Sequence, residues 1–217
     1  MKGAARWPIA AALLMLLALP WGARAGAVQY GAGLNSCAAF LDDREHNAAA
    51  DIEVLDWLAG YLTGANAAFV RVNNVMGDPN LKGAVYALVD FCRAHPATMV
   101  AVGADLMTFK HRYSTARSSN ESESYGTGYR SCAVYWRARA DETQDESSFV
   151  SWLAGYLSGV NAISKSTDDV LGGQSLTQTI QWLDDYCGTH ADVRFGQAIV
   201  ERLASPDIKP LHAKVAK

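Results

Sequence analysis

The chain has 217 residues, 50% of them hydrophobic, and its 19 Lys and Arg against 22 Asp and Glu give a formal net charge of −3. An acidic balance argues against nucleic acid or an anionic membrane surface as a partner, because both select basic faces.

Read in chain order, Lys2 and Arg6 precede an apolar run from Ile9 to Leu19, and Pro20 and Ala23-Arg24-Ala25 follow it. This is the pattern of a secretory signal peptide cleaved after Ala25, and the run is too short to serve as a permanent anchor. The expected mature chain carries 16 basic and 22 acidic side chains, a formal charge of −6. No later stretch approaches eighteen consecutive apolar residues, so no membrane anchor is expected. All four cysteines, Cys37, Cys92, Cys132 and Cys187, lie in the mature part. After export to an oxidising compartment an even number of cysteines reads as two disulfides.

The mature chain repeats itself. Shifted by 95 residues and without a gap, Tyr30 to His95 falls on Tyr125 to His190 with 23 identities in 66 positions. Trp57 to Ala67 reads WLAGYLTGANA and Trp152 to Ala162 reads WLAGYLSGVNA, and each copy also holds a Tyr-Gly-x-Gly and a Cys-x-x-His. The reading is two copies of one supersecondary unit. It divides the chain into a signal peptide (1–25), a first helical repeat (26–110), a Ser-rich linker (111–124), a second helical repeat (125–205) and a C-terminal tail (206–217).

Helical spacing recurs through each copy. The doubled glycines of YGAGLN and YGTGYR read as turns leading into the first helix, for which Ser36 and Ser131 are suitable N-caps. Leu81, Ala84, Val85, Leu88 and Cys92 form one stripe, matched by Leu176, Ile180, Leu183 and Cys187. Pro96 closes that helix, and Val100, Ala104 and Met107 mark the next. The predicted fold is all-α: two tandem, roughly four-helix, disulfide-bridged bundles related by pseudo-twofold symmetry. Cys37–Cys92 with Cys132–Cys187 is the preferred pairing, tying the first helix of each copy to the third. Cys37–Cys187 with Cys92–Cys132 satisfies the same symmetry.

The repeated elevenmer is apolar on two sides of its helix. Leu55, Leu58, Ala59 and Leu62 face one way, and Trp57, Gly60, Tyr61 and Gly64 face almost the opposite way, as do Trp152, Gly155, Tyr156 and Gly159 in the second copy. An interior glycine costs about 1 kcal/mol relative to alanine, so a pair kept in both copies marks a packing or binding face approached closely by something else. A partner helix of the same copy is the first expectation. The other copy, met across the pseudo-twofold so that a monomer mimics a homodimer, is the second, and a groove for a guest is the third. Asn66 and Asn161 read as residues that satisfy backbone groups near the helix end.

No catalytic set is expected. A zinc site at Cys-x-x-His lacks a fourth ligand, and exported thiols oxidise first, so neither metal nor cofactor is assigned. Asp42-Asp43 and Asp184-Asp185 do not coincide under the shift and read as solvated charge. Asp90 and Asp185 do coincide and could cap or pair within the bundle. The Asn-Glu-Ser at Asn120 is a glycosylation acceptor only in a eukaryotic secreted protein. Nucleophile-elbow, phosphate-loop and zincin motifs are absent.

The residues Ser36-Cys-x-x-Phe-Leu41, Trp-Leu-x-Gly-Tyr-Leu-x-Gly-x-Asn and Cys92-x-x-His-Pro96 resemble small disulfide-bridged helical proteins of the bacterial periplasm. These include the HdeA-type acid chaperones and the Tai-type immunity proteins that neutralise type VI secretion effectors. The resemblance covers about residues 30–109 and again 125–204, with Ala191 in place of the proline in the second copy. It implies a periplasmic, non-enzymatic protein-binding module whose partner is a toxic effector, with an acid-stress chaperone for unfolded clients as the alternative. It carries no catalytic side chains. An exported hydrolase would need a carboxylate pair assembled from distant positions.

Overall fold

The computed structural model describes residues 27–69, 74–76, 80–111 and 124–211. The expected signal peptide, most of the linker with Asn120, and the last six residues lie outside them.

The described elements are helical, joined by turns and three isolated β-bridges. A 3-10 turn at Gly31–Leu34 leads into α1 (Cys37–His46), α2 (Ala48–Ala68), α3 (Leu81–Ala94) and α4 (Val100–His111). After the linker a second 3-10 turn, Gly126–Tyr129, leads into α5 (Cys132–Ala140), α6 (Gln144–Ile163), α7 (Leu176–Thr189) and α8 (Phe195–Leu203).

Local chemistry sets the boundaries. The Ser36 hydroxyl accepts from the Ala39 N–H at 3.1 Å, and Asn47 and Asn80 cap α2 and α3 through their side-chain carbonyls. Ser175 opens α7 with a full capping box, since the Gln178 side chain returns a bond to the Ser175 N–H. Ser131 departs from expectation: it stands at the N-cap of α5 without a side-chain cap bond. Helix α3 stops before Pro96, which sits in the turn to α4.

The disulfides are Cys37–Cys92, joining α1 to α3, and Cys132–Cys187, joining α5 to α7. Each closes a loop of 55 residues, worth about 4 kcal/mol through loss of unfolded-chain entropy. Backbone bonds secure the same corner of each half. The Cys37 N–H donates to Thr98 O at 2.7 Å and the Val100 N–H to Asn35 O at 3.0 Å. Cys132 and Phe195 do the same toward Val193 O and Arg130 O, at 2.7 and 2.8 Å.

Two cores form around these staples. The first is built on Phe40, Trp57, Leu58, Leu62 and Leu88, and the second on Tyr135, Phe149, Trp152, Leu157 and Phe195. They interpenetrate: Ala154 and Ile163 of α6 belong to the first, and Ala59 of α2 to the second.

The first six residues of the expected tail pack back onto the second half. Ile208 is buried, and Leu211 exchanges backbone bonds with Asp168 and Asp169 at 2.8 and 2.9 Å. Buried Arg202 holds Asp207 with two bonds of 2.9 Å. Those contacts make residues 206–211 a strap, which spacing could not indicate because it rests on single side chains rather than a periodic face.

Candidate functional site

Helices α2 and α6 cross at the repeated elevenmers. Trp57, Gly60, Tyr61 and Gly64 lie against Trp152, Gly155, Tyr156 and Gly159, and all eight are buried. The glycines leave room for backbone and nothing more. A Cβ at Gly60 would stand 2.0 Å from the Trp152 carbonyl oxygen, and one at Gly64 would stand 2.0 Å from that of Tyr156. From the other side, a Cβ at Gly155 or Gly159 would stand 1.9 or 2.1 Å from the carbonyl oxygens of Trp57 and Tyr61. The helix that uses these glycines therefore belongs to the other half, whereas the first expectation placed it in the same copy. Glycine-to-carbonyl contact brings two helix axes closer than side chains allow, which repays the helix-propensity cost of four glycines.

The segments leading into α1 and α5 reinforce the join by crossing it. The Tyr30 N–H donates to the Ser158 hydroxyl and the Tyr125 N–H to that of Thr63, both at 2.9 Å. The Tyr30 hydroxyl reaches Asp169 at 2.9 Å and that of Tyr125 reaches Asn74 at 3.0 Å. Burial and the adjoining Asp169 carboxylate push the Tyr30 hydroxyl well above the ordinary tyrosine range. Each leading segment also turns over an indole. Trp57 Nε1 donates to Tyr30 O at 2.8 Å, Trp152 Nε1 to Tyr125 O at 2.6 Å, and Gly33 and Gly128 lie on the two rings with no space for a side chain.

Asn66 and Asn161 are wholly buried and accept from Val75 N–H and Val170 N–H at 2.6 and 2.8 Å. They satisfy the backbone of the loop nine residues ahead, farther along the chain than the helix end. The second also donates to Val28 O at 2.9 Å. Tyr61 donates to Asp105, while desolvation in the interior pushes Tyr156 up to about 12.

The halves differ at α5 and α7. The Tyr135 hydroxyl donates to Asp184 Oδ1 at 2.6 Å, and Arg139 grips that carboxylate with two nitrogens at 3.0 and 2.9 Å while also bonding Glu146. Burial, followed by Asp184, drives Tyr135 far above its usual range, and the hydrogen bond to Asp184 raises Arg139 likewise. Asp184 is thus a bound carboxylate, not the solvated charge expected of the Asp184-Asp185 pair. Its partners lie 49 and 45 residues away, beyond what helical spacing can connect. Asp42 and Asp90 remain exposed, in surface pairs with His46 and Arg93.

His95 and His190 are exposed at the C-caps of α3 and α7. Among the described residues no group of three or more His, Cys, Asp or Glu could hold a metal ion, and no helix is long and apolar enough to cross a membrane. No family model, curated protein or solved structure matches the chain. Its functional reading therefore rests on the residues themselves.

Proposed function

We propose that the chain is two fused copies of one helical module, related by a pseudo-twofold axis, which together act as an exported, non-enzymatic protein-binding module of the Gram-negative periplasm. Its partner is a protein, and the immunity-type reading makes that partner a toxic effector. The observation that carries this reading is the reciprocity of the join. Gly60 faces Trp152 as Gly155 faces Trp57, and the Tyr30 and Tyr125 segments cross in matching fashion. A homodimer folded into one chain leaves its two outer surfaces free to diverge while the core stays fixed. The Tyr135–Asp184–Arg139 network is a divergence that runs from buried Tyr135 out to the partly exposed Asp184 and Arg139, because Phe40 and Val89 occupy the positions aligned with Tyr135 and Asp184. Two disulfides within 192 residues suit an oxidising compartment.

Affinity capture from periplasmic extract at neutral and at acidic pH tests the proposal. One preferred partner held near neutral pH is the expected result. Many clients bound only in acid would favour the chaperone alternative, and an extract that yields no specific protein at either pH would overturn protein binding.

A further inference from the structure

A cleft of about 470 Å³ opens on the second half and is lined by Trp136, Arg139, Ala140, Glu142, Glu146 and Asp184. Trp136 is 51% exposed, which is unusual for the largest apolar side chain and leaves an indole face open on the cleft wall. One guanidinium stands against three carboxylates. The Arg139 guanidinium is already engaged by two of them, since Nε and Nη2 bond Asp184 and Nη1 bonds Glu146. What the lining offers a guest is therefore net negative charge beside an aromatic face.

The first half serves as an internal control. Arg44 and Asp51 occupy the positions aligned with Arg139 and Glu146, and they keep the ion pair, at 2.8 Å. That pair belongs to the shared scaffold. The positions aligned with Trp136, Ala140, Glu142 and Asp184 hold Leu41, Glu45, Asn47 and Val89. Three of these four differences give the second half the aromatic face or a negative charge and the fourth removes one, so the lining gains an indole and one net negative charge. Glu142 also adopts a left-handed backbone conformation with φ of 48°, whereas Asn47 has φ of −138°.

We propose that this cleft seats a cationic side chain, an arginine or lysine presented by the protein partner, with the charge held among the carboxylates and its flat or methylene portion against Trp136. The inference rests on the protein-binding reading above and names the chemistry its partner must present. A cation over an indole is attracted by the ring quadrupole, and nearby carboxylates add Coulomb attraction. An anionic guest would meet three carboxylates, and a neutral one would forgo the Coulomb attraction.

The test uses the full chain and a probe that isolates the charge. N-acetyl-arginine amide is titrated while the indole N–H resonance of Trp136, assigned by its loss in Trp136→Leu, is followed by NMR. The uncharged isostere N-acetyl-citrulline amide serves as control. A saturable shift with the arginine probe, little with citrulline, and a two- to fivefold weaker response in Glu142→Asn are expected. Equal responses to both probes, no movement of the Trp136 resonance, or an unchanged affinity in Glu142→Asn would overturn the assignment. Spermidine binding much more tightly than the arginine probe would assign the cleft to a free polyamine and overturn the side-chain source. Failure of the wider reading looks different: the extract yields no partner while the arginine probe still shifts Trp136. A partner captured equally well by Trp136→Leu and by the unaltered chain overturns the cleft proposal alone.

Discussion

Gly60 meets the backbone carbonyl of Trp152 so closely that a Cβ would lie 2.0 Å from its oxygen, and Gly155 stands in the same relation to Trp57 at 1.9 Å. Backbone cannot yield as the tip of a side chain can, so the helices must part. Gly60→Ala and Gly155→Ala should each destabilise the protein by about 1–3 kcal/mol, measured as a lower urea midpoint. A gain of about 1 kcal/mol, which alanine brings to an unhindered helix, would show that α2 and α6 do not touch there.

The disulfides close equal loops, one joining α1 to α3 and the other α5 to α7. Replacing Cys37 and Cys92 together with alanine, or Cys132 and Cys187, should lower stability by about 2–4 kcal/mol per pair. Chemical denaturation of the two double variants checks this, with the intact chain treated with reductant as a third arm.

The network at α5 gives a smaller and more local expectation. Tyr135→Phe, which installs the residue found at the aligned position 40, removes a 2.6 Å bond to a charged acceptor but leaves the Arg139 grip on Asp184. A loss of about 1–2 kcal/mol in unfolding free energy is expected. Phe40→Tyr should fail to produce the converse gain, because Val89 offers its hydroxyl no acceptor.

Acid should act on the carboxylates in opposite senses. Desolvation raises Asp56 above the ordinary carboxylate range, against the pull of Ser148, Thr127 and Arg130. A raised carboxylate favours the folded state when protonated, and this contribution is lost as pH rises through its folded value. Asp56→Asn should therefore raise the melting temperature at pH 7, with the gain shrinking as pH falls toward 4. Asp207 and Asp145 are held below the ordinary range, the first by Ser205, Arg202 and Gln174 and the second by Arg130. Their contributions are complete above about pH 4 and are lost only as pH falls through their lowered values. Thermal melts of the three single Asp→Asn variants across pH 2 to 7 separate the two behaviours.

Much of the scaffold was legible in the sequence. Apolar residues at helical spacing located α1 to α4 and their counterparts, and the equal Cys37–Cys92 and Cys132–Cys187 separations favoured the pairing that forms. The glycine face was visible too, since only close approach explains a costly residue kept twice. Its partner was not, because periodicity shows that a face is buried but carries no information on which helix buries it. The crossing of Tyr30 to Ser158 spans 128 residues and rests on one N–H and one hydroxyl. Asp184 was misread for a related reason: adjacent aspartates look solvated until Tyr135 and Arg139 arrive from another helix. The strap at 206–211 depends on Ile208, Asp207 and Leu211, too few residues to form a pattern.

The join between the halves can be tested without altering either of them. A protease site placed between residues 112 and 123 is cut in the native, oxidised protein, and the product is examined by size-exclusion chromatography and by denaturing electrophoresis without reductant. The two pieces should co-elute at the mass of the uncut chain, held by α2 against α6, and separate on the denaturing gel because each disulfide closes within its own half. Pieces that elute apart at micromolar concentration, or that stay covalently linked on the gel, would contradict the account.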